Sequence, residues 1–209
     1  MKKFMCFIIC LFTLTACNID SKQETLTEAE LAWFQTEFFA EGSIVDESAI
    51  RLAFLNCAYE KPEGIDLEEL FYDSFGATIS DEEYALLEVQ GANTNLDIIK
   101  VTADYMNAVL IEYTGLGLGD TEKKGLDKFY HISEYDAYYL VHSDTHHNQC
   151  QVISGFRNDA GDIVLTYRLN SYSFSELNEE ELNILPVHRV TLRANGDSYH
   201  FLSNQKDIQ

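Results

Sequence analysis

The densest group of side chains that could do chemistry is the polar stretch His142-Ser143-Asp144-Thr145-His146-His147. Alternate side chains of an extended segment point to the same side, so His142, Asp144 and His146 would lie together. Imidazole and carboxylate groups bind zinc and similar metals, and these three residues are therefore a candidate metal site. The spacing His-Glu-x-x-His of many zinc enzymes is absent. A polar loop at the end of a strand has the same composition, so both interpretations remain open.

Two cysteines, Cys57 and Cys150, are candidate nucleophiles, but neither fits a Cys-His-Asp hydrolase. Cys57 follows Ile50 and Phe54 at helical spacing on an apolar face, whereas a reactive thiol needs polar and electropositive surroundings. Cys150 lies so close to the histidines along the chain that a nucleophile–base pair is not expected. A disulfide between the two cysteines and a pair of buried free thiols are both compatible with the sequence.

The first seventeen residues contain the most specific motif of the chain. Lys2-Lys3 precede an apolar run from Phe4 to Leu14, which is shorter than the about 20 residues of a membrane-spanning helix. A basic start followed by a short apolar core is typical of a secretory signal. The sequence Leu14-Thr15-Ala16-Cys17 resembles the lipobox of bacterial lipoproteins. In that family, diacylglycerol is attached to the cysteine thiol, and the cysteine becomes the first residue after cleavage.

This resemblance implies a lipid-anchored protein on the extracytoplasmic face of the cell membrane. Residues 1–16 would be the signal peptide, and Cys17 would carry the acyl chains, because two chains give stable anchoring where one does not. Residues 17–25 would be a lipidated tether, in which Asn18–Thr25 spans at most about 26 Å at roughly 3.3 Å per residue. A cleaved signal without lipid, or an uncleaved membrane anchor, is the alternative.

The composition is that of an acidic globular protein. The chain has 209 residues, with 35 Asp and Glu against 14 Lys and Arg, a net charge of −21, and 46% hydrophobic residues. This length and hydrophobic content suit one domain or two small ones. Nucleic acid is excluded as a partner because a basic surface is missing, and nothing indicates a cofactor. Anionic lipid headgroups should repel the protein body, so membrane contact is expected through the anchor at Cys17.

Helix signals dominate residues 26–119, and strand signals dominate residues 120–209. Capping-box patterns predict helix starts at Thr27, Asp66 and Ser80, and about five helices are expected in all. Apolar and alternating patterns predict strands near 138–142, 150–156, 163–169, 189–193 and 199–202. No long helix separates these strands. The expected fold class is therefore α+β, with an N-terminal helical half packed on a C-terminal antiparallel meander sheet of five to six strands.

Three stretches that contain glycine are expected to be structural. The run Gly115–Asp120 follows a helix and leads into a polar loop, whereas a dinucleotide-binding loop follows a strand and opens a helix. Asn158–Asp162 lacks the alternating oxygen ligands of a calcium loop, so it is expected to be a turn. Asn195-Gly196, between two predicted strands, indicates a two-residue hairpin turn.

Tyrosine is abundant in and around the predicted sheet. The tyrosines concerned are Tyr130, Tyr135, Tyr138, Tyr139, Tyr167, Tyr172 and Tyr199. If exposed, they could stack on sugars or bind a protein partner; if buried, they are ordinary strand residues. The leading interpretation is a non-catalytic, surface-anchored binding or interaction module for a protein or carbohydrate ligand. A metal-dependent surface hydrolase using the His142–His147 cluster is the alternative.

Several phrases of the chain resemble a group of uncharacterised bacterial lipoproteins, mostly from gut anaerobes. The phrases are Leu26-Thr27-Glu28-Ala29-Glu30-Leu31-Ala32-Trp33-Phe34, Glu134-Tyr135-Asp136-Ala137-Tyr138-Tyr139 and Phe201-Leu202-Ser203-Asn204. His142-Ser143-Asp144-Thr145 is similar to a His-Gly-Asp-Thr segment of that group, whose members do not share the following His146-His147 pair. The resemblance covers most of the mature chain and implies no known activity, so no functional residue follows from it.

Overall fold

The computed structural model describes residues 23–39, 47–72, 76–142, 148–171, 173–206 and 208. Within these ranges the fold is α+β, with two antiparallel sheets. The helices are α1 (Glu28–Trp33), α2 (Glu47–Asn56), α3 (Leu67–Phe71), α4 (Asp81–Val89), α5 (Ala103–Thr114) and α6 (Glu179–Ile184). The strands are β1 (Glu24–Thr25), β2 (Asp97–Thr102), β3 (Tyr130–Ile132), β4 (Ala137–His142), β5 (Gln149–Arg157), β6 (Ile163–Asn170), β7 (His188–Asn195) and β8 (Ser198–Gln205). None of the described helices is long and apolar enough to cross a membrane.

The large sheet has the strand order β1-β5-β6-β7-β8, and β5 to β8 form a meander. Alternation along the strands separates its two faces. Leu165 and Tyr167 in β6, with Val190 and Leu192 in β7, are fully buried on one face. This face packs against α2, α5 and the end of α1 in the main hydrophobic core. The opposite face of these strands therefore points away from the core.

The predicted arrangement, a helical half packed on one meander sheet of five to six strands, is wrong. A second sheet, of order β2-β4-β3, takes β2 from the expected helical region and β4 from the expected meander. Asp97–Thr102 is rich in β-branched residues, which favour strands. It is short, however, and it runs directly into the helix capped by Thr102, so the longer helical pattern hid it. The strand β1 also lies outside the half to which the predicted fold assigned strands.

The small sheet lies between α4 and the main core. Ile99, Val101 and Leu140 are buried in the main core. On the other face, Ala137 and Tyr139 form a second core with Leu87 of α4. Both faces of this sheet are therefore covered, which explains why its central strand is almost continuously apolar.

The helix ends follow from local hydrogen bonds. The capping boxes predicted at Thr27 and Ser80 are confirmed, since both reciprocal hydrogen bonds are present. Asp66 accepts from the amides of Glu68 and Glu69 without the reciprocal contact. The helix α5 ends at Gly115, whose φ of +77° suits the left-handed position after a helix. The glycine run that begins there is thus a helix stop, as predicted.

The free edge of β5 is covered by the short strand β1 and by one side chain. The strand β1 pairs with Phe156 and Arg157. Farther along the edge, Gln35 Nε2 donates to the Cys150 carbonyl at 2.7 Å, and Gln35 Oε1 accepts from the Val152 amide at 2.7 Å. The side-chain amide therefore satisfies backbone groups that an exposed edge would offer to another chain.

Candidate functional site

The residues predicted to bind a metal fall largely outside the described part of the chain. His142 ends β4, where its backbone pairs with Asp97. Asp144 and His146 lie outside the described residues, as does Cys17. Among the residues that are described, no group of three or more His, Cys, Asp or Glu side chains is placed to hold a metal ion. The metal site remains a prediction from the sequence.

Cys57 and Cys150 are free thiols in the interior of the protein. The side chain of Cys57 is 0% exposed, and that of Cys150 is 4% exposed. Burial raises the pKa of both thiols, and the nearby Glu69 carboxylate adds to the effect at Cys57. A nucleophilic cysteine needs the opposite, an accessible thiol with a lowered pKa. Neither cysteine is therefore suited to catalysis.

We expect both thiols to resist a thiol-specific reagent while the protein is folded. The test uses a chain in which Cys6, Cys10 and Cys17 are replaced by serine, at mildly alkaline pH, with release of the coloured thiolate as the readout. Both cysteines should react fully once guanidinium chloride unfolds the protein. An added Ala108→Cys on the exposed side of α5 is the control and should react in the folded state. Rapid reaction of the folded chain without Ala108→Cys would contradict the structure.

The tyrosines of the predicted strands do not form an exposed sheet face. Tyr139 and Tyr167 are fully buried. The remaining described members of the set are half-buried, namely Tyr130, Tyr135, Tyr138 and Tyr199. Tyr172 lies outside the described residues. Most of this tyrosine content therefore packs the two sheets.

Tyr167 belongs to a buried polar network that connects the large sheet to the end of α2. Asn204 Nδ2 donates to the carbonyls of Leu55 at 3.0 Å and Cys57 at 2.6 Å. The Tyr167 hydroxyl donates to Asn204 Oδ1 at 2.8 Å. Asn204 also exchanges two backbone hydrogen bonds with Tyr59. The amide of Asn204 thus supplies partners for carbonyls at a helix end, which have none within the helix.

A second buried polar group, at Glu83, attaches α4 to the small sheet. The Glu83 carboxylate accepts hydrogen bonds from the Tyr139 hydroxyl, from Lys100 Nζ at 2.5 Å and from the Ser80 amide at 2.7 Å. Burial alone would raise the pKa of Glu83, but the hydrogen bonds from Lys100, Tyr139 and Ser80 outweigh it and lower the pKa to about 2. A carboxylate held as an anion by three donors is unsuited to general acid or base catalysis near neutral pH. Its role is therefore structural.

Trp33, the single tryptophan of the chain, is the most exposed of the aromatic side chains in the described residues, and it lies in a cluster of aromatic rings. The Trp33 ring centroid lies 5.0 Å from that of Phe34, 5.8 Å from that of Phe38 and 6.2 Å from that of Tyr199. Phe34 and Phe38 are 2% and 1% exposed, whereas Trp33 is 41% exposed. We name Trp33, Phe34, Phe38 and Tyr199 the aromatic platform.

The backbone geometry at the end of α1 helps to position the aromatic platform. After Trp33 the helix continues as a π-helical turn over Phe34–Phe38, a form that is rare and frequently found at functional sites. The guanidinium of Arg51 lies 4.9 Å from the Phe38 ring centroid, on the side of α2. Phe34 and Phe38 lie four residues apart, the spacing of one apolar stripe of a helix. The lone tryptophan beside that stripe is the signal that could have indicated the platform.

The comparisons with known proteins identify no relative. No family model, no curated protein and no solved structure matches the chain.

Proposed function

We propose that this protein is a lipid-anchored extracytoplasmic binding module without catalytic activity, and that its contact surface is the aromatic platform. The observation that carries the proposal is the 41% exposure of Trp33 in a cluster whose other members are largely buried. The apolar ring of an exposed tryptophan has a less favourable free energy in water than when it is buried. Covering the exposed part of its ring would contribute on the order of 2 kcal/mol to binding.

The chemistry of the platform favours a protein partner at the cell surface. Tryptophan, tyrosine and arginine are the side chains most enriched among the residues that dominate protein interfaces. Here Trp33, Tyr199 and Arg51 all lie around the buried Phe38 ring. Because Phe34 and Phe38 hold the Trp33 ring in place, little conformational entropy would be lost on binding. A carbohydrate that stacks on Trp33 is the competing ligand class.

The anchor part of the proposal is supported by the sequence at the start of the chain. The basic residues, the short apolar run and Leu14-Thr15-Ala16-Cys17 agree with one another in type and order. The resemblance to bacterial lipoproteins supports the same assignment. The alternative, a metal-dependent hydrolase using His142, Asp144 and His146, rests on the sequence alone.

Replacing Cys17 by serine is expected to abolish the membrane attachment, because the thiol is the acceptor of the lipid. In cells given radiolabelled palmitate, the unaltered chain should carry label and sediment with membranes. The Cys17→Ser chain should carry none. Cys10→Ser, which removes a cysteine within the signal region, is the matched control and should leave labelling unchanged. Equal palmitate incorporation in the Cys17→Ser chain would exclude the lipidation site.

Replacing Trp33 by alanine is expected to weaken partner binding by at least about tenfold. A photoreactive amino acid at position 33 would capture the partner on intact cells, and mass spectrometry would identify it. The affinity of the purified partner is then measured for the unaltered, Trp33→Ala and Tyr105→Ala chains. Tyr105, an aromatic residue 38% exposed on α5, is the matched control, and its replacement should change affinity little.

Three outcomes would contradict the proposal. Capture that is equally efficient from positions 33 and 105 would show that the aromatic platform is no specific contact surface. Unchanged affinity of the Trp33→Ala chain for the identified protein would show the same. Capture of glycan instead of protein would replace the protein partner by a carbohydrate ligand.

A further inference from the structure

The four strands of the meander contain arginine but no acidic residue. Across β5, β6, β7 and β8 there are four arginines and neither aspartate nor glutamate. The whole chain has 35 acidic residues against 14 basic ones. The meander β5–β8 is therefore locally basic in a strongly acidic protein, although β1 of the same sheet contains Glu24 and two of the four arginines, Arg157 and Arg193, pair with carboxylates.

Three of these arginines lie on the face of the large sheet that points away from the core. Alternation with the buried Tyr167, Val190 and Leu192 fixes this side. Across the strands, Thr166 pairs with Arg189, and Arg189 pairs with Gln205. We name this surface the basic sheet face, formed by Arg168, Arg189, Arg193, Thr166, Thr191 and Gln205.

Two positive charges on this face have no carboxylate partner among the described residues. Arg193 is neutralised by Asp162, with Nε to Oδ1 at 2.8 Å. Within the described ranges neither Arg168 nor Arg189 forms an ion pair, and Arg168 Nε is buried without a hydrogen-bond partner. Arg168 lies two residues after Thr166, the neighbour of Arg189, so the two arginines are diagonal neighbours with Cα atoms roughly 7–8 Å apart. This spacing suits adjacent anionic groups on a flat surface.

We propose that the basic sheet face docks on the phosphate headgroups of anionic lipids in the membrane that holds the anchor. The proposal rests on the lipid anchor of the proposed function and adds a contact surface to it. Charge complementarity is the first argument. The second is the tether: the chain after Cys17 enters the large sheet at β1, and Asn18–Thr25 spans at most about 26 Å. Five strands at about 4.8 Å spacing are of similar width, so the sheet stays within reach of the membrane.

The net charge of −21 does not prevent this contact. At physiological ionic strength, charges are screened beyond about 8 Å. Carboxylates on the far side of the domain are therefore screened from the lipid surface. The charge of the face nearest the membrane determines whether the domain is attracted or repelled. The sequence-based expectation that the whole body is repelled treats the charge as uniform, whereas the meander strands contain arginine and neither Asp nor Glu.

The test measures which side of the anchored protein faces the lipid. The lipid-modified chain is purified from membranes and reconstituted into vesicles of phosphatidylcholine alone or with phosphatidylglycerol. One fluorophore is attached at Gln205→Cys, at the margin of the basic sheet face, or at Ala108→Cys, on the exposed side of α5. The thiols of Cys57 and Cys150 are buried and do not compete. Energy transfer to a headgroup-bound acceptor reports the distance of each label from the membrane.

On anionic vesicles, transfer should be stronger from position 205 than from position 108. Removing the two charges with Arg168→Gln and Arg189→Gln should reduce the membrane-facing population by about fivefold for each arginine. The lysine versions of both substitutions should keep the orientation. Lys61→Gln with Lys128→Gln removes the same charge elsewhere and should also keep it. High salt and neutral vesicles should abolish the difference between the labels.

Equal transfer from both positions on anionic vesicles, or an orientation unchanged in the double arginine-to-glutamine chain, would overturn the proposal. The substitutions could instead dissociate a dimer that forms on neutral vesicles. The basic sheet face would then bind the acidic surface of a second copy of the chain, and the proposal would be equally wrong. Failure of the anchor is distinguishable. It shows as a chain that does not float with any vesicles, whereas failure of the docking surface shows as flotation without orientation.

Discussion

Replacing Asn204 by alanine is expected to lower the free energy of unfolding by about 2–4 kcal/mol. Asn204 is 1% exposed. Its loss would leave the Cys57 carbonyl without its side-chain partner in the interior. The Leu55 carbonyl would lose one of two donors and the Tyr167 hydroxyl its acceptor on Asn204, although these two groups can still bond to each other at 3.1 Å. Each unsatisfied buried polar group costs about 1–3 kcal/mol. The helix α2 would lose the cap that a distant strand supplies.

Urea unfolding followed by circular dichroism measures this effect. Gln205→Ala, at the exposed neighbouring position, is the control and should change stability by less than about 0.5 kcal/mol. Tyr167→Phe removes one hydroxyl and should cost about 1 kcal/mol. Because Asn204 and Tyr167 share a hydrogen bond, the double variant should be less destabilised than the two single effects added together. A loss below about 1 kcal/mol for Asn204→Ala would contradict the network.

Replacing Glu83 by alanine is expected to destabilise the protein by about 3–5 kcal/mol, because it leaves Lys100 charged and unpaired in a buried position. The same change removes the acceptor of the Tyr139 hydroxyl and half of the capping box at Ser80. Replacing both charged residues by apolar ones, Glu83→Leu with Lys100→Met, should recover much of the loss, since no charge is then left unpaired. A double variant as unstable as Glu83→Ala would contradict this explanation.

The stability that Glu83 supplies should depend on pH in a defined direction. The pKa of Glu83 in the folded protein is about 2, below its ordinary value of 4.5. Because the pKa of Glu83 is lower in the folded state than in the unfolded state, its ionised form stabilises the folded protein at any pH above about 4.5. This contribution is lost as the pH falls from 4.5 towards 2. The full contribution amounts to about 3 kcal/mol. Urea unfolding across this pH range should show a clearly smaller loss in Glu83→Gln than in the unaltered chain.

Glu30 provides an internal comparison for the pH experiment. Hydrogen bonds from Thr27 and Arg157 also lower the pKa of Glu30 to about 2. Its side chain, however, is 37% exposed, so solvent screens the interaction with Arg157. Glu30→Gln should therefore remove much less of the pH-dependent stability than Glu83→Gln. Equal effects of the two substitutions would show that burial is not what makes Glu83 important.

Local features of the fold were predictable from the sequence because a few neighbouring residues decide them. The caps at Thr27 and Ser80 need only one side chain and an amide three residues later. The hairpin between β7 and β8 was also predicted, although the turn residues are Gly196 and Asp197, one position later than expected. Gly196 has a φ of +59°, which glycine adopts without strain at the first position of such a turn.

Partner choice between strands was not predictable in the same way. The strand β4 precedes β5 in the chain, yet it pairs with β2 and β3 and not with β5. The alternation of apolar and polar residues along a strand does not indicate which sheet the strand joins. That choice depends on which other elements cover the two faces of the sheet. The aromatic platform was missed for a related reason: Phe34, Trp33 and Tyr199 meet only because α1 packs at the end of β8. Likewise, the sequence alone does not show that Arg168 and Arg189 are neighbours on one face, because that depends on the register between β6 and β7.

The pairing of Gln35 with the edge of β5 has a consequence for the lipid-anchored form that we propose. Anchored molecules diffuse in two dimensions and collide far more often than the same number of molecules in solution. An open strand edge would then join neighbouring copies into sheets that grow across the membrane. The Gln35 amide occupies the Cys150 carbonyl and the Val152 amide, where such growth would begin. In the proposed anchored form, Gln35 would therefore keep this edge of β5 from pairing with a neighbouring copy.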